Sequence, residues 1–259
     1  YDIEARTRQG GWSASLVRAY VDLHKPQLTA SKAYGVRHPL FWEDPPEKLV
    51  HLDVEYPRPH DGLPIPDEHL AYAVSLFRGH LELAVALERE LTGDDHIHFE
   101  HTRADDNGPP LTEDEFGIRC PIVILQQLMA RLHAFDPTAA RAEVMRWLAT
   151  DPYVFARMRI WASANRLIDP DEGAAMLLAL SDELFWSTHH QRDLLYAVRD
   201  LWPDLSSQLR IAIEQRLLTT TYPWNEEVRG GPSRAEAHYR LNRLHWLVSQ
   251  GITFSFDVD

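Results

Sequence analysis

The chain has 259 residues, 44% of them hydrophobic and 25% charged, which is the balance of a folded protein with a sizeable core. Its net charge of −13 argues against a general binder of nucleic acid or of anionic membranes, because both partners are themselves negative. A single cysteine, Cys120, excludes an intramolecular disulfide and suits a reducing compartment.

No apolar run is read as approaching the length of a membrane span. Position 1 is Tyr, and no signal-peptide pattern follows it. The expectation is a domain of a longer cytoplasmic protein.

Trp12 to about Leu23 predicts a short helix ending before Pro26. Residues 26–66 hold eight of the seventeen prolines and read as an irregular, extended connection. Inside it Val50, Leu52, Val54 and Tyr56 alternate with His51, Asp53 and Glu55, and a period of two predicts a strand. A long helix follows from Pro66 to Leu91, started by Pro66-Asp67-Glu68 and stopped by Gly93. Leu70, Val74, Phe77, Leu81 and Ala84 form one stripe on it, and Ala73, Leu76, Leu83 and Leu87 a neighbouring one, so it is expected to be covered on more than one side.

Residues 93–116 are polar and turn-rich. Eight acids against one arginine give this stretch a charge of −7, more than half of the chain's total. It is expected to be a mobile loop or a partner contact, dividing an N-terminal helical subregion, 1–92, from a helical-repeat subdomain, 117–259.

From Gly117 the pattern is nearly all helix, over 117–134, 137–149, 152–168, 170–181, 188–202, 204–218 and 232–250. Asp136-Pro137, Asp151-Pro152, Asp169-Pro170 and Pro203-Asp204 open four of these runs. Asp accepts the free N–H groups of a helix start, and Pro fits the first turn because its missing N–H costs nothing there. Only Arg159, Ser163 and Arg166 make a polar stripe on 152–168, which is therefore expected to be a central helix with Trp161 in the interior. Short, regularly punctuated helices point to a mainly α fold, a HEAT-like or α-solenoid array with at most a few short strands. The tail Ile252, Phe254, Phe256, Val258 alternates with Thr253, Ser255 and Asp257 and reads as a terminal strand, with 50–56 as its candidate partner.

Chemistry-bearing patterns are few. His96-Ile97-His98-Phe99-Glu100-His101 resembles the HxHxDH signature of metallo-β-lactamase-fold hydrolases, with Glu in place of Asp. Alternating histidines on one face of an extended segment suit zinc, which makes His96, His98 and His101 the metal candidates. That fold needs many strands around the motif, whereas long helices flank it here, so the plainer reading is a His-rich acidic loop. His189-His190 with Arg192 and Asp193 sit at a predicted helix start, where a local cluster is the plainer reading than a site.

His238 and His245 share a helical face near Tyr239 and Trp246, a set that suits either a pocket or a packed aromatic helix. Arg119 beside Cys120 is a means of activating the thiol, but no nucleophile signature surrounds it and a buried structural thiol is the default. Trp147, Trp161, Trp186, Trp202 and Trp246 read as core wedges, and Arg157, Arg159 and Arg166 as inter-helix ion pairs or a basic strip. No GxSxG, Walker A, GxGxxG or CxxC motif is present. No catalytic residue and no cofactor is assigned.

The segment from Leu180 to Asp259 carries the words Leu-Ser-Asp-Glu-Leu-Phe-Trp-Ser, His-Gln-Arg-Asp-Leu-Leu-Tyr-Ala, Leu-Asn-Arg-Leu-His-Trp-Leu and Gly-Ile-Thr-Phe-Ser-Phe-Asp-Val-Asp. These resemble a bacterial domain of unknown function found C-terminal to sirtuin-type modules in large defence-type proteins. The resemblance implies a helical region that senses a trigger or assembles a complex, while the sirtuin-like module hydrolyses NAD. The chain has no Gly-rich NAD loop, so no catalytic residue transfers to it. The expectation is a non-catalytic scaffold or sensor module with a protein partner or self-assembly. The alternatives are a metal-dependent hydrolase using His96, His98 and His101, and a purely structural oligomerisation segment.

Overall fold

The computed structural model describes residues 2–32, 50–58, 65–93, 97, 101–103, 106–108, 117–147, 153–219 and 232–258. Among these the chain is mainly helical, with eleven α-helices and two short strands. It divides into two compact units. One comprises residues 1–100 and 109–140, the other 101–108 and 141–259.

The first unit contains α1 (Asp2–Gly10), α2 (Ala14–Asp22), β1 (Gln27–Lys32), β2 (Val50–Glu55), α3 (Leu70–Thr92) and α4 (Arg119–Phe135). Ser13 starts α2, its hydroxyl accepting from the Leu16 N–H at 3.4 Å. α3 ends at Gly93, whose φ of +61° is a left-handed turn that glycine adopts without strain. Leu70, Val74, Phe77, Leu81 and Ala84 are all buried, so the first expected stripe is the core face. α4 packs against α3 and contributes Leu125, Met129 and Leu132. Burying each such side chain stabilises by roughly 1.5–3 kcal/mol.

Contrary to the length reading of the sequence, Asp67–Thr92 is long and apolar enough by composition to cross a membrane, with a mean hydropathy of 1.3 over its best window. Of that window, 44% is buried within the protein. Its apolar stripe is the one that forms the unit's core.

β1 and β2 pair antiparallel, with Leu28 opposite Val54 and Ala30 opposite Leu52. The partner of 50–55 is therefore a segment expected to be irregular. Residues 252–258, expected to pair there, form no strand; they belong to the second unit. Their alternation serves packing instead, burying Ile252 and Phe254 against helices. Glu214 meets the backbone there, accepting from the Ser255 N–H at 2.9 Å, so no neighbouring strand is needed for that donor.

α5 (Pro137–Val144) begins in the first unit and ends in the second. The second unit continues with α6 (Val154–Ala164), α7 (Pro170–Leu178), α8 (Asp182–Trp186), α9 (Thr188–Leu201), α10 (Ser207–Thr219) and α11 (Pro232–Ser249). Two of the Asp-Pro pairs are caps: Asp136 accepts from the Ala139 N–H and Asp169 from the Asp171 N–H, both at 2.9 Å. Pro203-Asp204 belongs to a single 3-10 turn, and Asp151-Pro152 lies outside the described residues.

α6 is central, with Val154, Phe155, Ala156, Met158, Ile160, Trp161 and Ala162 all buried. Its expected polar stripe is interrupted, because Ser163 is fully buried. Gly173 of α7 is the cause: a Cβ added there would lie 3.2 Å from the Ser163 Cβ. Small residues on both helices let them approach closely. Trp147, Trp186 and Trp202 are buried wedges, as their positions predicted.

Candidate functional site

α9 has two working faces. His190, Asp193, Leu194, Ala197, Val198 and Leu201 are buried, at spacings of three and four, and turn inward. Thr188, Gln191, Arg192, Leu195 and Tyr196 repeat the same spacing two residues earlier, which turns them to the far side of the helix. With Tyr239, Asn242 and Trp246 of α11 they line an open cleft of about 780 Å³.

The inward face is a buried polar network. Asp193 accepts from the Thr102 N–H at 3.1 Å and from its hydroxyl at 3.0 Å, pinning residues 101–103 to α9. Arg157 of α6 donates its Nε–H to His190 Nδ1 at 3.2 Å and a second N–H to the His189 carbonyl. Burial pushes the Arg157 guanidinium below its ordinary value, while the Asp193 carboxylate works in the opposite direction. His190 is fully buried, and the network ties α6 to α9. The sequence cluster His189-His190-Arg192-Asp193 is thus split by the helix: His190 and Asp193 go inward, Arg192 goes to the cleft.

The cleft face is aromatic and cationic. Tyr196 meets Trp246 edge-on, ring centres 5.1 Å apart at 68°. The guanidinium groups of Arg103, Arg199 and Arg192 lie 4.2, 4.6 and 5.2 Å from the Tyr196 ring centre, in cation–π range. Asp106 and Asp200 neutralise two of them: Arg199 donates to Asp106 at 2.6 Å and pairs with Asp200 at 2.8 Å, and Arg103 pairs with both. The Arg199 hydrogen bond holds the Asp106 carboxyl below its usual range, and the Asp106 hydrogen bond in turn raises the Arg199 guanidinium. Arg192 donates to the Arg103 carbonyl at 2.7 Å and lies 4.0 Å from the Asp193 carboxylate.

On α11 the cleft takes Tyr239, Asn242 and Trp246, while Arg243, Leu244 and Leu247 enter the core. His238 meets Asn242 at 3.1 Å between ring and amide nitrogens, and His245 is exposed without lining the cleft. The pocket-forming face is therefore one residue round from the His238/His245 face read in the sequence. The cue was present as Tyr, Asn and Trp at i, i+3 and i+7, but titratable residues drew the attention. Trp246, expected as a core wedge, is only half-buried and walls the cleft.

Of the metal candidates, His96 and His98 lie outside the described residues; His101 is described and belongs to the second unit. Among the described residues no group of three His, Cys, Asp or Glu side chains is placed to hold a metal ion. Cys120 is buried in the first turn of α4. Arg166 pairs with Asp204 and donates to the Asp200 carbonyl at 3.2 Å, one of the inter-helix contacts considered for the arginines. Comparison with protein-family models, curated proteins and solved structures finds no match to this chain, so its functional reading rests on this geometry.

Proposed function

We propose that this chain is a non-catalytic helical sensor and scaffold module of a larger cytoplasmic bacterial protein, with the α9–α11 cleft receiving its signal. The observation that carries this reading is the cleft lining. Among the described residues, aromatic faces, two amides, the hydroxyls of Thr188, Tyr196 and Tyr239, and one guanidinium surround the Leu195 floor. These groups bind and orient a ligand. Among the described residues the lining has no carboxylate, imidazole or thiol to move a proton or attack a bond. A HEAT-like array of antiparallel helix pairs belongs to the same reading. So does the resemblance of residues 180–259 to a helical domain that follows sirtuin-type modules, with NAD hydrolysis assigned to a part of the antiphage-defence protein outside this chain. The hydrolase alternative using His96, His98 and His101 has no comparable support among the described residues.

The test is equilibrium dialysis of the chain against a bacterial small-molecule extract, with retained compounds identified by mass. The Asn242→Trp variant, which fills the cleft from an exposed position, is run beside it. A compound concentrated by the chain and released by the variant is the expected result. Identical retention by both proteins would remove the cleft from the function.

One observation favours a structural oligomerisation segment instead. Ile211 and Leu218 on α10, and Leu241 and Val248 on α11, are each seven apart and 37–49% exposed. Sedimentation of a Leu241→Glu, Val248→Glu double variant decides it, since self-association through this face would be lost.

A further inference from the structure

We infer that α2 is an acid-released clasp on α3: protonation of the histidine pair at their contact frees α2 while α3 and α4 stay packed together. The device lies wholly in the first unit and is independent of the α9–α11 cleft, so either can fail without the other.

Two imidazoles meet where the end of α2 rests on α3. His24 continues the last turn of α2, its N–H donating to the Val21 carbonyl at 2.9 Å. Its ring lies edge-on to Tyr20 of α2 and Phe77 of α3, centres 5.4 and 5.2 Å apart. His80, three residues on from Phe77, stands 6.2 Å from the same Phe77 ring. Both ring nitrogens of His24, and Nδ1 of His80, are buried without a hydrogen-bond partner among the described residues. Buried polar atoms are nearly always paired, so three exceptions at one helix contact call for an explanation. A proton would add a further N–H donor and a charge to this contact, and both are costly to bury unpaired. In water the same proton costs nothing, so acid favours the state in which the two helices are apart.

The surrounding charges agree with that direction. Burial acts first on both rings and holds them below the ordinary histidine value, and His80 lowers His24 further. Asp22 of α2, 3.4 Å from His80 Nε2, works the other way on His80, and Lys25 opposes it. Other charged groups on the packed elements are engaged elsewhere. Arg18 of α2 donates to the Tyr72 hydroxyl at 3.1 Å, and on α1 Arg8 pairs with Glu4. On α3, Arg78 pairs with Glu82 and Glu88 accepts from Tyr56 at 2.6 Å. Asp53 of β2 accepts from the Val54 N–H, and Arg131 of α4 pairs with Asp67. Among the described residues Asp22 is the carboxylate that meets the pair, and one carboxylate cannot balance two imidazoliums. Opening is local because α2 is held by little. Its nine residues bury Leu16, Val17, Tyr20 and Val21, whereas α3 and α4 pack longer apolar faces against each other. Segments with few buried apolar side chains open first.

The experiment is hydrogen exchange of the 259-residue chain, followed by mass at pH 7 and pH 4.5 and corrected for the intrinsic pH dependence of exchange. Protection across 14–25 is expected to fall roughly fiftyfold, the factor that a histidine held at about 4 in the closed state and 6.5 in the open one gives between these pH values. Protection across 119–135 should change far less. His24→Leu should remove most of the fall. Asp22→Asn should deepen it, because His80 then loses the carboxylate that offsets its burial. Melting curves at pH 7 establish that both variants fold.

No fall across 14–25 overturns the inference outright. Equal losses across α2 and α4 overturn it too, since acid would then unfold the unit as a whole. An unchanged fall in His24→Leu removes the histidine pair as the trigger. Should that variant fail to fold, Asp22→Asn decides: a fall no deeper than the parent's overturns the role of the pair.

Discussion

The two units bury polar groups in opposite ways. In the first unit the core is the apolar stripe of α3 against α4, and its polar tension lies in two histidines. His24 sits against the rings of Tyr20 and Phe77, 5.4 and 5.2 Å away, and neither of its ring nitrogens has a hydrogen-bond partner among the described residues. Burial, helped by nearby His80, lowers its pKa to about 4, so it packs as a neutral ring. In the second unit Arg157, Asp193, Glu214 and Arg243 are buried, and each binds backbone groups. Arg243 is fully buried and donates to the Phe185 and Trp186 carbonyls at 2.8 and 3.0 Å, closing the end of α8. Apolar stripes decide that helices pack. Buried polar side chains decide where the irregular joints between short helices go, which is what a unit of short helices needs.

The largest expected effect tests that contrast directly. Arg243→Ala leaves two carbonyls without their donors and a void over Trp186, and should cost roughly 3–5 kcal/mol. Urea denaturation of the two proteins measures it. A loss below about 1 kcal/mol would show that the α8 end is fixed by apolar packing after all, and the contrast between the units would dissolve.

The next effect belongs to the first unit and to acid pH. His24 titrates near 4 when folded and near 6.5 when unfolded. A lowered histidine favours the neutral form in the fold, so its contribution is complete above pH 6.5. It is lost as pH falls from 6.5 to 4, because the unfolded chain takes up the proton first, and changes no further below 4. The loss approaches about 3 kcal/mol as an upper figure. His80 is lowered in the same direction by its burial, against the pull of Asp22. Stability curves at pH 7 and pH 4.5 should converge for His24→Leu relative to the parent chain. Equal acid sensitivity in both would move the effect to other groups.

The smallest effect is on the exposed surface of the second unit. Arg141 forms a two-pronged pair with Glu172, its Nε donating at 2.8 Å, but the side chains are 52% and 34% exposed. Arg141→Ala should lower stability least of the three, and less still as salt rises, since water and ions screen such pairs. A cost comparable to Arg243→Ala would mean that charge pairing at the surface, and not burial, organises this unit.

Helices were the legible part of the sequence because a 3.6-residue apolar period is written by the core itself. The α3 stripe and the Asp136 and Asp169 caps could be read residue by residue. The strand pair was half legible: Val50–Glu55 alternates, but Gln27–Lys32 carries Thr, Ser and Lys on an exposed ribbon and has no burial to mark it. The tail showed the opposite failure, alternating without being a strand, because two apolar residues can reach a helical core from an irregular path. The cleft was written in Thr188, Gln191, Arg192, Leu195 and Tyr196, yet periodicity alone does not reveal that α11 stands back from that face. Tertiary spacing between two helices is not a local property of either.

The packing of Ile252 and Phe254 into the helical core has a consequence for the timing of synthesis. These residues follow every helix they touch, so α6 to α11 are all made before the last pieces of their shared interior exist. Phe254 then completes an edge-to-face contact with Trp202, ring centres 5.6 Å apart, and a stack with Phe256 at 5.1 Å. During translation the second unit therefore waits with an apolar surface open to solvent, and it closes only once residue 254 has left the ribosome.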